Sequence, residues 1–233
     1  MVLSLAQAHQ RRARAAMDSA KKAPQQSMAG ATAYEHQLNQ LLQDRLRLKS
    51  IQSNEGKAAL KLQLLPEYIP YVTGVIEAGN GAQDDVMTTV MVWRIDAGDY
   101  RGALDIAGYV LKHGLIMPDR FERTTGCLVA EEIATAALKT QKAGGTFDRN
   151  ILYRTAELTE EQDMPDQARA KLYLATGRAT LDGISAELPG QPGQIQAGID
   201  LLRRAIALHD SCGGKKDLES AERLLKKHAA PAV

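Results

Sequence analysis

Aromatic side chains are scarce in this 233-residue chain: one Trp, two Phe and seven Tyr. That weighs against rich base-stacking surfaces and against a β-sandwich core, both of which draw on aromatics. Cysteine is scarcer still. Cys127 and Cys212 are the two present, no CxxC occurs, and two thiols cannot make a disulfide scaffold. A reducing compartment is the simpler expectation. The opening MVLSLAQAHQRR meets its charges after only a few apolar residues and does not read as a signal peptide. Long apolar runs are missing as well. The most apolar stretch, residues 86–95, holds two threonines and Arg94, and it falls far short of the roughly 20 residues a membrane helix requires. A soluble protein with no membrane partner is expected.

The composition that is present is globular, with 44% hydrophobic and 24% charged residues, and a chain this long buries roughly 70% of its unfolded surface. Net charge is only +1, so the whole molecule is not a polycation. Its distribution is uneven. Residues 1–64 hold ten Lys or Arg against four Asp or Glu, and the remainder holds nineteen against twenty-four. The densest cluster is HQRRARAAMDSAKK, with Arg11, Arg12, Arg14, Lys21 and Lys22 opposed only by Asp18. Arg45, Arg47 and Lys49 extend the basic set downstream. Basic clusters neutralise phosphates and release counterions, a sequence-independent source of nucleic-acid affinity. The plainer reading is a solvated arm at the chain end.

The pattern is helical from end to end. Residues 23–33, APQQSMAGATA, read as a linker, and residues 34–65 as one long amphipathic helix or a helical hairpin. Within them Leu38, Leu42 and Leu46 recur every four residues, while Leu41, Leu48 and Leu62 fall on a seven-residue spacing. Pro66 is expected at a first helical position, and Gly79 and Gly81 close that segment. Asp84 or Asp85 can cap the next helix, on which Val86, Val90 and Trp93 share a face, and Asp99 the one after. Gly114 and Pro118 stop it. Further helices are expected over 127–143, from Asp148 to Leu158, from Pro165 to Leu181, over 195–209 and over 216–228. KLYLATGRATL, IDLLRRAIAL and WRIDAGDYRGALDIAGYVLKHG have a tetratricopeptide flavour, with Gly177 placed for close helix approach. The fixed period of about 34 residues that an array needs is absent. The expected organisation is a basic arm and linker (1–33), a long helix or hairpin for DNA binding or oligomerisation (34–65), a central helical domain (66–160) and C-terminal helical hairpins (161–233).

Signatures of catalysis are few. There is no GxxxxGK[ST], no HExxH and no GxSxG. His209 and Cys212 form an HxxC without a second zinc pair. Metal-dependent nucleases hold Mg²⁺ between carboxylates, which makes Asp84, Asp85, Asp96 and Asp99 the candidate catalytic residues. Three of them also have an ordinary explanation, since Asp84, Asp85 and Asp99 precede helices where capping is their usual role. No other cofactor is indicated.

The block LLPEYIPYVTGVIEAGNGAQDDVMTTVMVWRIDAGDYRGALDIAGYVLKHGLIMPDRFERT resembles the small terminase subunit of peduovirus-type tailed phages, the GpM family. MPDQARAKLYLATGRA and the basic start RRARAAM resemble it too. The resemblance implies a DNA-packaging role in the cytoplasm of an infected bacterium. It implies binding of double-stranded viral DNA at the packaging site, assembly as a ring-like homo-oligomer, and delivery of DNA to the large terminase subunit, the ATP-driven motor and nuclease. The family has also been labelled the terminase endonuclease subunit, which would require Mg²⁺. Some relatives carry a lysine-rich C-terminal tail; this chain has only Lys226 and Lys227 near its end, so the N-terminal cluster is the better DNA-binding candidate. A helical scaffold without a nucleic-acid role is the third reading.

Overall fold

A computed structural model describes residues 3–118 and 123–229. Among the described residues it contains ten helices and no strand. None of these helices is long and apolar enough to cross a membrane. The chain separates into two compact units, Met1–Thr125 and Gly126–Val233. The 66–160 segment expected as one domain runs across that boundary.

The first unit is built from α1 (Leu5–Ala20), α2 (Thr32–Lys49), α3 (Asn54–Ala78), α4 (Asp85–Asp96) and α5 (Tyr100–His113). The basic start, expected as an arm, is helix α1. Ser4 caps it through a reciprocal box with Gln7, Ser4 Oγ accepting from Gln7 N and Gln7 Oε1 accepting from Ser4 N. It is docked on α3. Ala15 is fully buried, and a Cβ at Gly74 would lie 2.2 Å from the Arg12 carbonyl oxygen, so only glycine lets the two backbones approach this closely.

The segment 23–33 is not a free linker. Met28 is fully buried, and the chain pairs with the loop before α4. Gln25 N donates to Gly81 O at 2.8 Å, Met28 N to Gln83 O at 3.1 Å and Gln83 N to Gln26 O at 2.9 Å. Of the long helix or helical hairpin expected over 34–65, the structure has two helices, α2 and α3, separated at residues 50–53, where Ser53 caps α3 through Gly56 N. Helix α3 then runs through both Pro66 and Pro70, so Pro66 does not begin a helix. Each proline removes one backbone donor. The carbonyls left without it belong to Leu62 and Pro66, both exposed, so water can satisfy them.

Helix α4 is buried on nearly every side, including Val86, Met87, Val90, Met91, Trp93 and Ile95, which is why its sequence lacks a polar face. Tyr68 and Trp93 meet edge to face with centroids 5.9 Å apart.

The second unit holds α6 (Thr125–Lys142), α7 (Arg149–Leu158), α8 (Asp166–Leu181), α9 (Gln194–Leu208) and α10 (Lys215–Ala229). Helices α8 and α9 touch through Gly177, whose added Cβ would meet Leu202 Cγ at 3.0 Å and the Gly198 carbonyl oxygen at 3.3 Å. Ile195, Ile199 and Ala221 form a core between α9 and α10, clasped by ion pairs from Arg178 to Asp217 and Arg203 to Glu222.

Candidate nucleic-acid interface

The eight basic residues marked by the sequence divide by what they touch. Arg12 grips both carboxylate oxygens of Glu77 on α3, through Nε at 2.7 Å and through Nη2. Arg11 reaches Glu67, also on α3, at 3.6 Å from the carboxylate and 3.4 Å from the backbone oxygen. Arg47 pairs with Asp44 at 2.9 Å. These three cations are neutralised within the fold. Lys22 Nζ donates to the Ala29 carbonyl oxygen at 3.0 Å, a neutral acceptor that leaves its charge uncompensated. Arg14, Lys21, Arg45 and Lys49 have no carboxylate partner among the described residues. Arg14, Lys21 and Lys49 are exposed and Arg45 is half-buried.

Asp44 shows why Arg47 is held. Its side chain is almost fully buried on α2 and accepts from the Tyr68 hydroxyl at 2.8 Å as well as from Arg47. Burial and this hydrogen bond push the Tyr68 phenol far above its usual range. The arginine therefore completes a buried polar pair.

Two of the clefts beside α1 are lined by the marked basic residues. The first, about 270 Å³, is lined by Gln7, Gln10, Arg11 and Arg14 of α1 and by His36 and Gln37 of α2, with the first turn of α2 and Tyr71 behind them. The second, about 500 Å³, brings Arg11 and Arg47 together with Glu67 and Asp44. The structure thus joins Arg11 to Arg14 and Arg11 to Arg47; Lys21, Lys22, Arg45 and Lys49 line neither cleft. Sequence reasoning missed His36, Gln37 and the α1 glutamines. One signal was available: Tyr34, Gln37, Leu41, Asp44 and Leu48 form the buried stripe of α2, and Gln37 and Asp44, seven residues apart, are its polar interruptions.

The four candidate catalytic carboxylates are each engaged. Asp84 is fully buried; its Oδ1 accepts from Val86 N at 2.9 Å and Met87 N at 3.0 Å, and its Oδ2 accepts from the Tyr71 hydroxyl at 2.5 Å. Burial pushes this carboxyl up to about 6, against the lowering by its three donors. Asp85 lies in the first turn of α4, with Gln83 Nε2 at 3.4 Å. Asp96 pairs with Lys61, and Asp99 pairs with Arg94 while capping α5 through Gly102 N at 3.0 Å. Among the described residues no group of three or more His, Cys, Asp or Glu side chains could hold a metal ion. These aspartates do not fit a Mg²⁺ site; they fit helix caps and inter-helix ties.

Comparison with known proteins supplies the remaining observation. A family model for the phage small terminase subunit matches residues 38–167. The chain is 44% identical over 228 residues, 98% of its own length and 88% of the relative's, to a protein of Escherichia phage P2 named terminase, endonuclease subunit. It is 25% identical over 168 residues, 67% of the chain and 57% of the relative, to a protein of Haemophilus phage HP1 named probable terminase, endonuclease subunit. No solved structure matches it.

Proposed function

The chain belongs to the phage small terminase subunit family, and from that membership we propose that it binds double-stranded viral DNA at the packaging site, oligomerises, and delivers the DNA to the large terminase subunit. The observation that carries the DNA-binding part is that five of the eight basic residues marked by the sequence, Arg14, Lys21, Lys22, Arg45 and Lys49, have no carboxylate partner among the described residues. No covalent step is required of this chain. Phosphate contacts position the duplex, and several copies held together multiply weak contacts by raising effective concentration.

The test is the salt dependence of duplex binding, read by fluorescence anisotropy. Each neutralised phosphate contributes about −0.9 to the slope of log K against log salt, so five contacts per engaged subunit give a slope of about −4.5. Alanine at all five positions is expected to bring the slope towards zero. Alanine at Arg11, Arg12 and Arg47 is expected to change it much less, because those cations already have carboxylate partners. An unchanged slope in the five-site variant refutes the assignment.

The names of the two relatives favour a second reading, in which this chain itself cuts DNA. The carboxylates oppose it, since a metal would have to displace Lys61 from Asp96 or Arg94 from Asp99. Incubation of the purified chain with duplex and Mg²⁺, without the large subunit, decides between them: cleavage abolished by Asp96→Asn or Asp99→Asn restores the second reading, and intact DNA removes it.

A further inference from the structure

Helix α2 carries two apolar faces, and the fold of this chain covers one of them. Tyr34, Gln37, Leu41, Asp44 and Leu48 are its buried stripe. Leu38, Leu42 and Leu46 form a second row, about 120° further round the helix at about 100° per residue. Leu42 is 44% exposed and Leu46 59%, and Leu38 is half-buried. Leucines in line at a spacing of four make a contiguous patch, unlike single apolar side chains scattered over a surface.

The two ends of the row say what covers it. Glu35 and Lys49 fall in the same arc of about 80°, and each stands seven residues from Leu42. Glu35 Oε1 accepts from Gly30 N at 2.9 Å, and no cation pairs with this carboxylate among the described residues. Lys49 is exposed, with no carboxylate partner among them. The row is therefore symmetric about Leu42 in shape and opposite in charge at its ends, which is the pattern that complements itself.

We propose that this face of α2 packs on the same face of a second copy of the chain, antiparallel, about a two-fold axis at Leu42. Leu42 then meets Leu42 of the second copy, Leu38 meets Leu46, and Glu35 meets Lys49, with the last two contacts made twice by symmetry. Arg45 comes opposite Asn39, a neutral amide. A parallel pair would set Glu35 on Glu35 and Lys49 on Lys49 and align the two helix dipoles, so charge selects the antiparallel arrangement. The pairing rests on the oligomerisation in the proposed function and gives it a surface and a symmetry. A contact of this kind closes at two copies, so a larger ring has to join pairs through another surface. Within the pair Glu35 neutralises Lys49, which leaves Arg14, Lys21, Lys22 and Arg45 to the duplex.

Sedimentation equilibrium of the full chain tests it. The face is about 21 Å long and one helix wide, at the small end of specific interfaces, so micromolar association is expected, to twice the 25.3 kDa chain mass or a multiple of that pair. Leu42→Glu, at the axis, is expected to weaken pairing at least tenfold. Glu35→Lys and Lys49→Glu each set like charges together at both ends and are each expected to weaken it about tenfold. Mixed in equal amounts, these two variants restore opposite charges at both ends and are expected to pair about tenfold more tightly than either alone, a rescue that misfolded chains could not show. Register is read by cross-linking in a Cys212→Ser background. Leu42→Cys is expected to form a disulfide with its own copy on mild oxidation, and Leu46→Cys is not, because its two copies lie about 12 Å apart along the helix. No gain on mixing, or cross-linking of Leu46→Cys as readily as of Leu42→Cys, overturns the proposal. An oligomer unchanged by Leu42→Glu overturns it while the oligomerisation reading stands. Single copies up to about 100 µM overturn both. Pairs that form as described but bind no duplex leave the pairing in place and remove the packaging-site reading alone.

Discussion

Replacing Gly74 with alanine sets two effects of opposite sign against each other, and the outcome decides whether α1 is docked as described. Gly74 lies inside α3. Alanine in place of glycine in a helix interior stabilises by about 1 kcal/mol. The added Cβ would sit 2.2 Å from the Arg12 carbonyl oxygen, 3.0 Å from Ala15 Cβ and 3.1 Å from Ala16 N. Carbon–oxygen contacts settle at about 3.3 Å or more, so the two helices have to part by about 1 Å. The nearest atom is backbone and cannot swing aside. Overpacking of this kind costs about 1–3 kcal/mol, and parting also loosens Ala15, now fully buried. With the close contact forced against backbone, the upper part of that range applies, and the net expectation is a loss of about 1–2 kcal/mol. The assay is urea unfolding, with a lower midpoint and an unchanged slope, joined to amide exchange, which should show α1 losing protection first. A Gly74→Ala protein as stable as the parent, with α1 equally protected, would refute the docking of α1 on α3.

Gly198→Ala makes the complementary case. Its Cβ would meet Leu181 Cγ at 2.5 Å, but Leu181 is a half-buried side chain whose adjustment costs about 0.5–1.5 kcal/mol. Helix propensity offsets this, so urea unfolding should place the variant within about 1 kcal/mol of the parent. Tyr68→Phe removes the hydroxyl that Asp44 accepts from and should destabilise by about 1–3 kcal/mol, read as a lower melting temperature. Asp84 gives a pH prediction. Its carboxyl is raised from 3.8 to about 6, so the folded state keeps a proton that the unfolded state has released. The stability this contributes is complete below pH 3.8 and is lost as pH rises through about 6. Asp84→Asn retains an N-cap acceptor and removes the dependence. The stability difference between parent and variant should therefore shift by up to about 3 kcal/mol across that window, and a constant difference from pH 4.5 to pH 7 would count against a buried, ionising Asp84.

The helical class and several boundaries were legible because their causes are local. Asp84, Asp99 and Asp148 cap the helices they precede, and Gly79 and Gly114 end helices in the left-handed region. The course of α3 was not legible, because two prolines four residues apart read as a start signal until the exposure of Leu62 and Pro66 is known. The basic arm was misread for a longer-range reason. What makes residues 5–20 a docked helix is a glycine about sixty positions away, together with Glu67 and Glu77, and no window along the chain holds those residues together. The segment 23–33 looks like a linker in composition, and only Met28 entering the core and the pairing with residues 81–83 tie it down.

The same long-range contacts change what the basic cluster means. Counted along the chain, Arg11, Arg12 and Arg14 are equivalent. In the fold, Arg11 and Arg12 face carboxylates of α3 and help fix α1 on the helix that carries Gly74, while Arg14 is exposed and lines the cleft beside His36 and Gln37. A cation already paired releases few counterions when a phosphate arrives, because it must first surrender its carboxylate. If this chain binds duplex as proposed, anchoring and recognition fall to different members of one cluster. An unanchored arm with all its charges free would bind phosphate through more contacts, but it would lose conformational entropy on binding. The docked helix gives up two of those contacts to hold α1 on α3 and leaves Arg14 exposed, with no carboxylate partner among the described residues.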